Sequence, residues 1–187
     1  MESVTYIPAD MQAMWDGGEV QRFHTVPMLR PDTVGQHSYG VACVLVHVWP
    51  QAPARLLRAA LKHDMAEAYT GDIPAPAKRA MDIRQRVAEY EDEYLRAVGI
   101  TVETVAPWEE WLLKFCDSVE GLRVATRERA MGNRTLAMEA VGRNFKKYVD
   151  DLLSDLPDGT PMVERETYNR CATLAFGLEK EWERVSK

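Results

Sequence analysis

An adjacent His63-Asp64 pair, followed by Glu67 and then by Asp72 and Lys78, concentrates the chain's most reactive side chains in one stretch. Imidazole nitrogens and carboxylate oxygens both ligate first-row divalent metals. On a helix, neighbours point about 100° apart, so His63 and Asp64 can approach one ion from two sides. Glu67 lies on the same flank one turn on. It is better placed to hold a water beside the ion than to bind the ion itself. His63 and Asp64 are then half of a ligand set, and His37 and Asp117 are the candidates for the other half. Two imidazoles and two carboxylates leave positions open for water and substrate. A bound metal would lower the pKa of that water toward neutrality.

Each residue also has a plainer reading. Asp64 and Glu67 can be surface acids and His63 a core histidine, because a His-Asp dipeptide arises often by chance. His37 shares its helix face with Gly40, Val41 and Val44, where a histidine is as readily a satisfied core residue; His47 is read that way. Asp117 falls among Trp111, Leu112 and Phe115, and burying an acid costs on the order of several kcal/mol unless it is paired or bound to metal. Lys114, one turn earlier, offers a structural ion pair instead. Arg22-Phe23-His24 lies in a polar segment that is either a connector with Phe23 in the core or the lip of a pocket.

Helices must position these residues. Thr33 and Gln36 fit a capping box that opens a helix over about 34–49, ending before Pro50. Pro53 opens a helix to about Tyr69, stopped by Gly71. Gly71 to Pro76 reads as a rigid turn. Further helices are expected over about 9–16, 77–98, 107–131, from a cap at Asn133 to about 156, and from Thr160-Pro161 to about 185. The Glu89 to Glu93 acidic run reads as a solvated face. No repeat or hairpin signal interrupts the pattern. The expected fold is all-α: one domain over residues 1–187 with six or seven helices, the candidate site in 22–132 and helices 133–187 completing the bundle.

Composition narrows the function classes. The 187 residues, 46% hydrophobic with a net charge of −6, suit a globular domain and give no basic footprint for a nucleic acid polymer. A small anionic substrate remains compatible, since local cations and a metal outweigh global charge. Cys43, Cys116 and Cys171 form no CxxC pair, which points to free thiols in a reducing compartment. The first ten residues lack a leader pattern, and the apolar run Val41–Val46 is far short of a membrane span. A cytoplasmic protein without membrane contact is expected.

The pattern His63-Asp64-x-x-Glu67-x-x-Thr70-Gly71-Asp72-x-Pro74-x-Pro76-x-Lys78 closely resembles the HD-domain 5′-deoxynucleotidases of bacteria and the small HD phosphohydrolases of phages, which include dATP triphosphohydrolases. Arg22 followed by an aromatic, the later His37-Ser38 pair, and Lys114-x-x-Asp117 extend the resemblance across residues 22–117. It implies His37, His63, Asp64 and Asp117 as ligands of one divalent metal, with Co, Mn, Mg, Zn and Fe not distinguished. It implies Glu67 as general acid/base, Asp72 as an assistant at the phosphate or the leaving 5′-oxygen, and Arg22, Lys78 and Lys114 as phosphate contacts. Phe23 stands where the bacterial enzymes carry Trp against sugar and base; it keeps a stacking face but loses the indole N–H. His24 beside it is closer to the phage branch. The resemblance further implies a small-molecule deoxynucleotide substrate and a homo-oligomer, for which Trp108, Trp111 and Trp182 are candidate contacts if they are not core. The cytoplasm would be the host's if a phage encodes the chain.

The expected reaction is cleavage of the 5′-phosphate ester of a 2′-deoxynucleotide. The reading leans to a triphosphate, with adenine as base, releasing deoxynucleoside and triphosphate; a monophosphate-specific 5′-deoxynucleotidase is the alternative. Hyperphosphorylated-guanosine hydrolases carry a second acid where Ala68 stands, and a two-metal cyclic-nucleotide phosphodiesterase needs more histidines in register. A non-catalytic nucleotide-binding protein on this fold is the remote reading from another class.

Overall fold

The computed structural model describes residues 7–157 and 165–187. Among them are helices α1 (Ala9–Glu19), α2 (Val34–Val48), α3 (Ala54–Lys62), α4 (Glu67–Thr70), α5 (Ala75–Ala80), α6 (Arg84–Ala97), α7 (Pro107–Ala130), α8 (Leu136–Ser154) and α9 (Arg165–Ser186). No strand occurs among the described residues, only an isolated bridge between Gln21 and Thr33. The all-α class read from the sequence is the observed one. The expected start of the last helix at Thr160-Pro161 lies outside the described residues.

α7 is the organising helix and packs against α2, α8 and α9. Leu112, Phe115, Cys116 and Val119 on α7 meet Val41 and Leu45 of α2, Leu56 of α3, Val149 of α8 and Cys171 of α9 in the main core. Burying Phe115 or Leu45 completely contributes roughly 1.5–3 kcal/mol each. A second cluster joins α1 and α6 to Met65 and Ala66, the residues directly after the His-Asp pair. A third packs Leu122 and Ala125 of α7 against Met138 of α8 and Trp182 of α9.

Local signals set several boundaries. The Thr33 hydroxyl accepts the Gln36 amide at 3.3 Å and starts α2 as expected. Two expected long helices are each broken. The one over 53–69 stops at Lys62; amide bonds from Met65 to Lys62 and from Glu67 to Asp64 then reach back three residues, until α4 resumes. The one over 77–98 is interrupted at Met81–Ile83, where Asp82 takes φ +53°. The cap of α8 is Thr135, whose hydroxyl accepts the Met138 amide, and not Asn133. Asn133 instead bonds Pro27 and the buried Glu128, which in turn accepts the Leu29 and Arg30 amides. The helix-cap propensity of Asn133 is overridden by this long-range tie to the loop before α2.

Of the tryptophans expected as contacts, Trp111 and Trp182 are buried, and half-buried Trp108 packs tilted at 54° against Trp49, with ring centroids 4.8 Å apart. They do not supply an exposed aromatic contact. His47, read as a core histidine, is exposed. Cys43, Cys116 and Cys171 are free thiols, and no described helix is long and apolar enough to cross a membrane.

Candidate metal centre and its pocket

His37 projects from the first turn of α2, His63 and Asp64 from the turn after α3, and Asp117 from the middle of α7. Their ligating atoms converge. His37 Nε2 lies 3.1 Å from Asp117 Oδ1, 3.6 Å from Asp64 Oδ2 and 3.2 Å from His63 Nε2, and His63 Nε2 is 3.2 Å from Asp64 Oδ2. Donors at about 2.0–2.1 Å around one tetrahedral ion are separated by about 3.3–3.4 Å. His37, His63 and Asp117 offer ligand atoms that all lie near one another, while Asp64 approaches the two histidines but is not part of that mutually close set. The alternative ion pair between Lys114 and Asp117 is not formed: Lys114 pairs with Glu110 at 2.6 Å, and Asp117 faces His37.

The second nitrogen of each imidazole is already committed. His63 Nδ1 donates to the Ala60 carbonyl at 2.8 Å, and His37 Nδ1 donates to Glu120 Oε2 at 2.9 Å. Both Nε2 atoms are therefore left for the centre, and with a metal bound they would offer it their lone pairs. The donor set fits a divalent cation, since these lone pairs and two carboxylates otherwise face one another. Without one, a proton serves: burial alone would lower His63, but Asp64 beside it lifts it to about 9. Burial acts to raise Asp64, and the His63 charge holds it well below the usual carboxylate range.

The turn at 63–66 explains why the pair sits so. Hydrogen bonds three residues back tighten the chain to about three residues per turn, which aligns positions i and i+3. Glu67 is thus set above Asp64 on one edge. Gly17 of α1 makes the turn possible, because a Cβ there would lie 2.7 Å from the Met65 carbonyl oxygen. Glu67 is buried, and its Oε2 has no hydrogen-bond partner among the described protein atoms. Burial first, then the charges of Asp64 and Asp72, push its carboxyl up to about 8 against the pull of Lys78 and Arg22.

These groups open into a pocket of about 360 Å³. Arg22, Phe23, Glu67, Asp72 and Lys78 line it with Asp64 and Asp117. Arg22 is nearly buried, its Nη1 3.3 Å from Asp32 and 3.8 Å from Glu120. Burial would lower its pKa, but Asp64, Asp117, Glu120 and Asp32 together raise it. Lys78 stands 3.8 Å from Glu91. Phe23 adopts φ +56°, a conformation that costs a bulky side chain about 1–3 kcal/mol. Its amide donates to Asp72 Oδ2 at 3.0 Å.

Two expected site residues are not brought to the pocket. Lys114 is 63% exposed and engaged with Glu110, and exposed His24 is absent from the lining although Phe23 and Thr25 on either side contribute to it. Three features were not read from the sequence. Glu120 is fully buried behind His37, and its i+3 spacing from Asp117 was the available signal. Asp32 orients Arg22. The far wall is a face of α8, Val141, Asn144, Phe145 and Tyr148, whose spacing of three, four and seven marks one helical stripe.

Comparison with known proteins bears on this arrangement. The HD domain family matches residues 19–111. The chain is 31% identical over 110 residues to a dATP triphosphohydrolase of Cyanophage S-2L, and 31% identical over 113 residues to a dATP triphosphohydrolase of Salmonella phage PMBT28. These matches cover 55% and 51% of the chain, and the chain spans 62% and 56% of the length of those relatives. Among solved structures, an HD phosphohydrolase of Cyanophage S-2L bound to dA and one catalytic Zn²⁺ superposes with a TM-score of 0.64 at 20% identity, over 92% of this chain and 96% of that one. An HD-domain phosphohydrolase from Listeria innocua gives a TM-score of 0.64 at 18% identity, over 90% of this chain and 96% of that one.

Proposed function

We propose that this chain, which shares its fold with HD phosphohydrolases and matches the HD domain over residues 19–111, is a metal-dependent phosphohydrolase that cleaves the 5′-phosphate ester of 2′-deoxynucleotides, acting on a triphosphate of the dATP kind and releasing deoxynucleoside and triphosphate. The observation that supports this reading is the clustering of His37, His63 and Asp117, with Asp64 beside both histidines, next to a pocket whose lining holds Asp64, Asp117, Arg22 and Lys78. The similarity to two phage dATP triphosphohydrolases supports the triphosphate and the adenine. Residues 1–187 are taken as one domain. The free thiols support a reducing compartment, taken as the cytoplasm, and a homo-oligomer is part of the same proposal.

His37, His63, Asp64 and Asp117 would hold one divalent ion, which supplies Lewis acidity for water and phosphate. Glu67, set beside the ligands, would take the proton from the attacking water in its ionised form and could return one to the leaving 5′-oxygen. Arg22 faces the charge that develops on the α-phosphate, held in place by Asp32. Lys78 reaches phosphate oxygens from α5 across the pocket. Lys114 joins them only if its side chain leaves Glu110. Phe23 offers a flat face to sugar and base, with Phe145 edge-on at 6.3 Å behind it.

The deciding experiment is a panel of mono-, di- and triphosphates of the four deoxynucleosides and their ribose counterparts, with Co²⁺, Mn²⁺, Mg²⁺ and Zn²⁺ supplied in turn and the products resolved. Deoxynucleoside and intact triphosphate from dATP are expected, with kcat lowered about 10²–10⁴-fold in Glu67→Ala. Cleavage of monophosphates alone would establish the 5′-deoxynucleotidase reading instead. Undiminished turnover by Glu67→Ala would remove its assigned role.

A further inference from the structure

The resemblance casts Asp72 as a helper at the phosphate, yet the structure spends one of its carboxylate oxygens elsewhere. Asp72 Oδ2 accepts the Phe23 amide at 3.0 Å, across 49 residues of chain. Phe23 is one of two non-glycine residues with positive φ among those described, and it is much the bulkier. A residue with a large side chain stays in that region only when its surroundings over-determine it. Here the surroundings can be named. The Arg22 amide donates to the Asp32 carbonyl at 2.9 Å before Phe23, and the Val26 amide donates to the Phe23 carbonyl at 2.8 Å after it. The Arg22 guanidinium lies 5.0 Å from the Phe23 ring centroid, and Phe145 meets the ring edge-on. The bond from Phe23's own amide goes to Asp72, which follows Gly71 at the end of α4 and leads through Pro74 into the helix that carries Lys78.

We propose that Asp72 is a positioning residue, holding Phe23 in its left-handed conformation so that the ring faces the nucleoside end of the pocket and sets sugar and base fit, and is not a proton carrier in the cleavage. This rests on the reading of the pocket as a deoxynucleotide site. The role needs a hydrogen-bond acceptor at Asp72 and no ionisable proton. Asn keeps the acceptor; Ala removes it.

The test compares Asp72→Asn and Asp72→Ala in the metal-loaded full chain, with steady-state kinetics on the deoxynucleotide panel and amide hydrogen exchange at Phe23. Asp72→Asn is expected to keep the Phe23 amide protected and the parent's selectivity between bases, with any change in kcat following the pH profile of Glu67, which loses the Asp72 charge. Asp72→Ala is expected to raise KM roughly tenfold and to flatten the ratio of kcat/KM between preferred and disfavoured bases, with the Phe23 amide exposed. A loss of kcat of about a hundredfold or more in Asp72→Asn, matching Asp72→Ala, would make Asp72 a proton carrier and overturn the proposal. Unchanged selectivity and a protected Phe23 amide in Asp72→Ala would overturn it equally. Should the parent chain cleave none of the panel, the proposed function fails, and hydrogen exchange still decides whether Asp72 holds Phe23.

Discussion

His37 Nδ1 and Glu120 Oε2 lie 2.9 Å apart with both side chains fully buried, so the orientation of one candidate metal ligand is set by an acid from α7 that binds no metal itself. Glu120 is in turn paired with Arg123 and lies near Arg22, and with burial opposing, His37 and Arg123 hold its carboxyl low. The acceptor therefore stays ionised, which keeps the proton on Nδ1 and the lone pair on Nε2.

Removing that acceptor should loosen the metal more than the fold. Glu120→Gln is expected to weaken Zn²⁺ or Co²⁺ affinity about 10–100-fold, as carboxylate partners of ligating histidines generally do. Competition with a chelator measures it, and an unchanged Kd would show that Glu120 does not set the tautomer. The same titration followed by thermal melting should show the parent gaining stability with metal and losing it with EDTA, by about 2.7 kcal/mol at a hundredfold excess over Kd. His63→Ala and Asp117→Ala should abolish that gain.

Gly40 makes room for Glu120. A Cβ at that position would lie 2.6 Å from Glu120 Cγ and 2.7 Å from its Oε1. Gly40→Ala should displace the carboxylate, costing about 1–3 kcal/mol through overpacking and lowering Tm by roughly 3–10 °C, together with a weaker metal site. Gly177, with open space around its Cβ direction, is the control, and Gly177→Ala should not lower Tm. Equal behaviour of the two variants would remove the steric argument.

Glu67 should leave a pH signature in the metal-free protein. Its carboxyl is lifted from 4.5 to about 8, by burial and then by Asp64 and Asp72. Between those values the folded chain keeps a proton that the unfolded chain has released, so this group's contribution to stability is present below pH 4.5 and is lost as pH rises through about 8. Glu67→Gln does not ionise and escapes that loss. Above pH 8 the metal-free variant should be more stable than the parent by on the order of 2–4 kcal/mol, with the difference fading toward pH 4.5. Urea unfolding across that range measures it; a difference that does not vary with pH would contradict the assignment.

Arg79 bears on the choice between mono- and triphosphate. Among the described pocket cations, Arg22 faces Asp32 and Lys78 faces Glu91, whereas Arg79 donates to the neutral Tyr148 hydroxyl at 2.5 Å. A cation held by a neutral partner can turn to an anion without breaking an ion pair. Arg79→Ala should raise KM about tenfold for triphosphates and less than about twofold for monophosphates. An equal rise for both would place Arg79 outside the recognition of the distal phosphates.

Much of the fold was legible because its signals are local. The Thr33 cap and the stop at Gly71 depend on the conformations of a few consecutive residues. Asn133 shows the limit: its cap propensity is good, but bonds to Pro27 and Glu128 drew it away and Thr135 took the cap. The breaks after Lys62 and at Met81–Ile83 were not legible either, since neither carries a strong breaker.

By itself the sequence determined the all-α class and which side chains were chemically able to form a metal site, because residue type and helical spacing are local properties. It placed His63, Asp64 and Glu67 together for that reason. Only the tertiary structure decided that His37 and Asp117 meet them, that Glu120 stands behind His37, that α8 supplies the pocket's far wall, and that Asp72 reaches Phe23. Those relationships join residues far apart in the chain, and they exist because α2 and α7 pack closely at Gly40 and α1 and the 63–66 turn at Gly17. Spacing rules reach about one helical turn, and beyond that the packing of the core sets which side chains share a site.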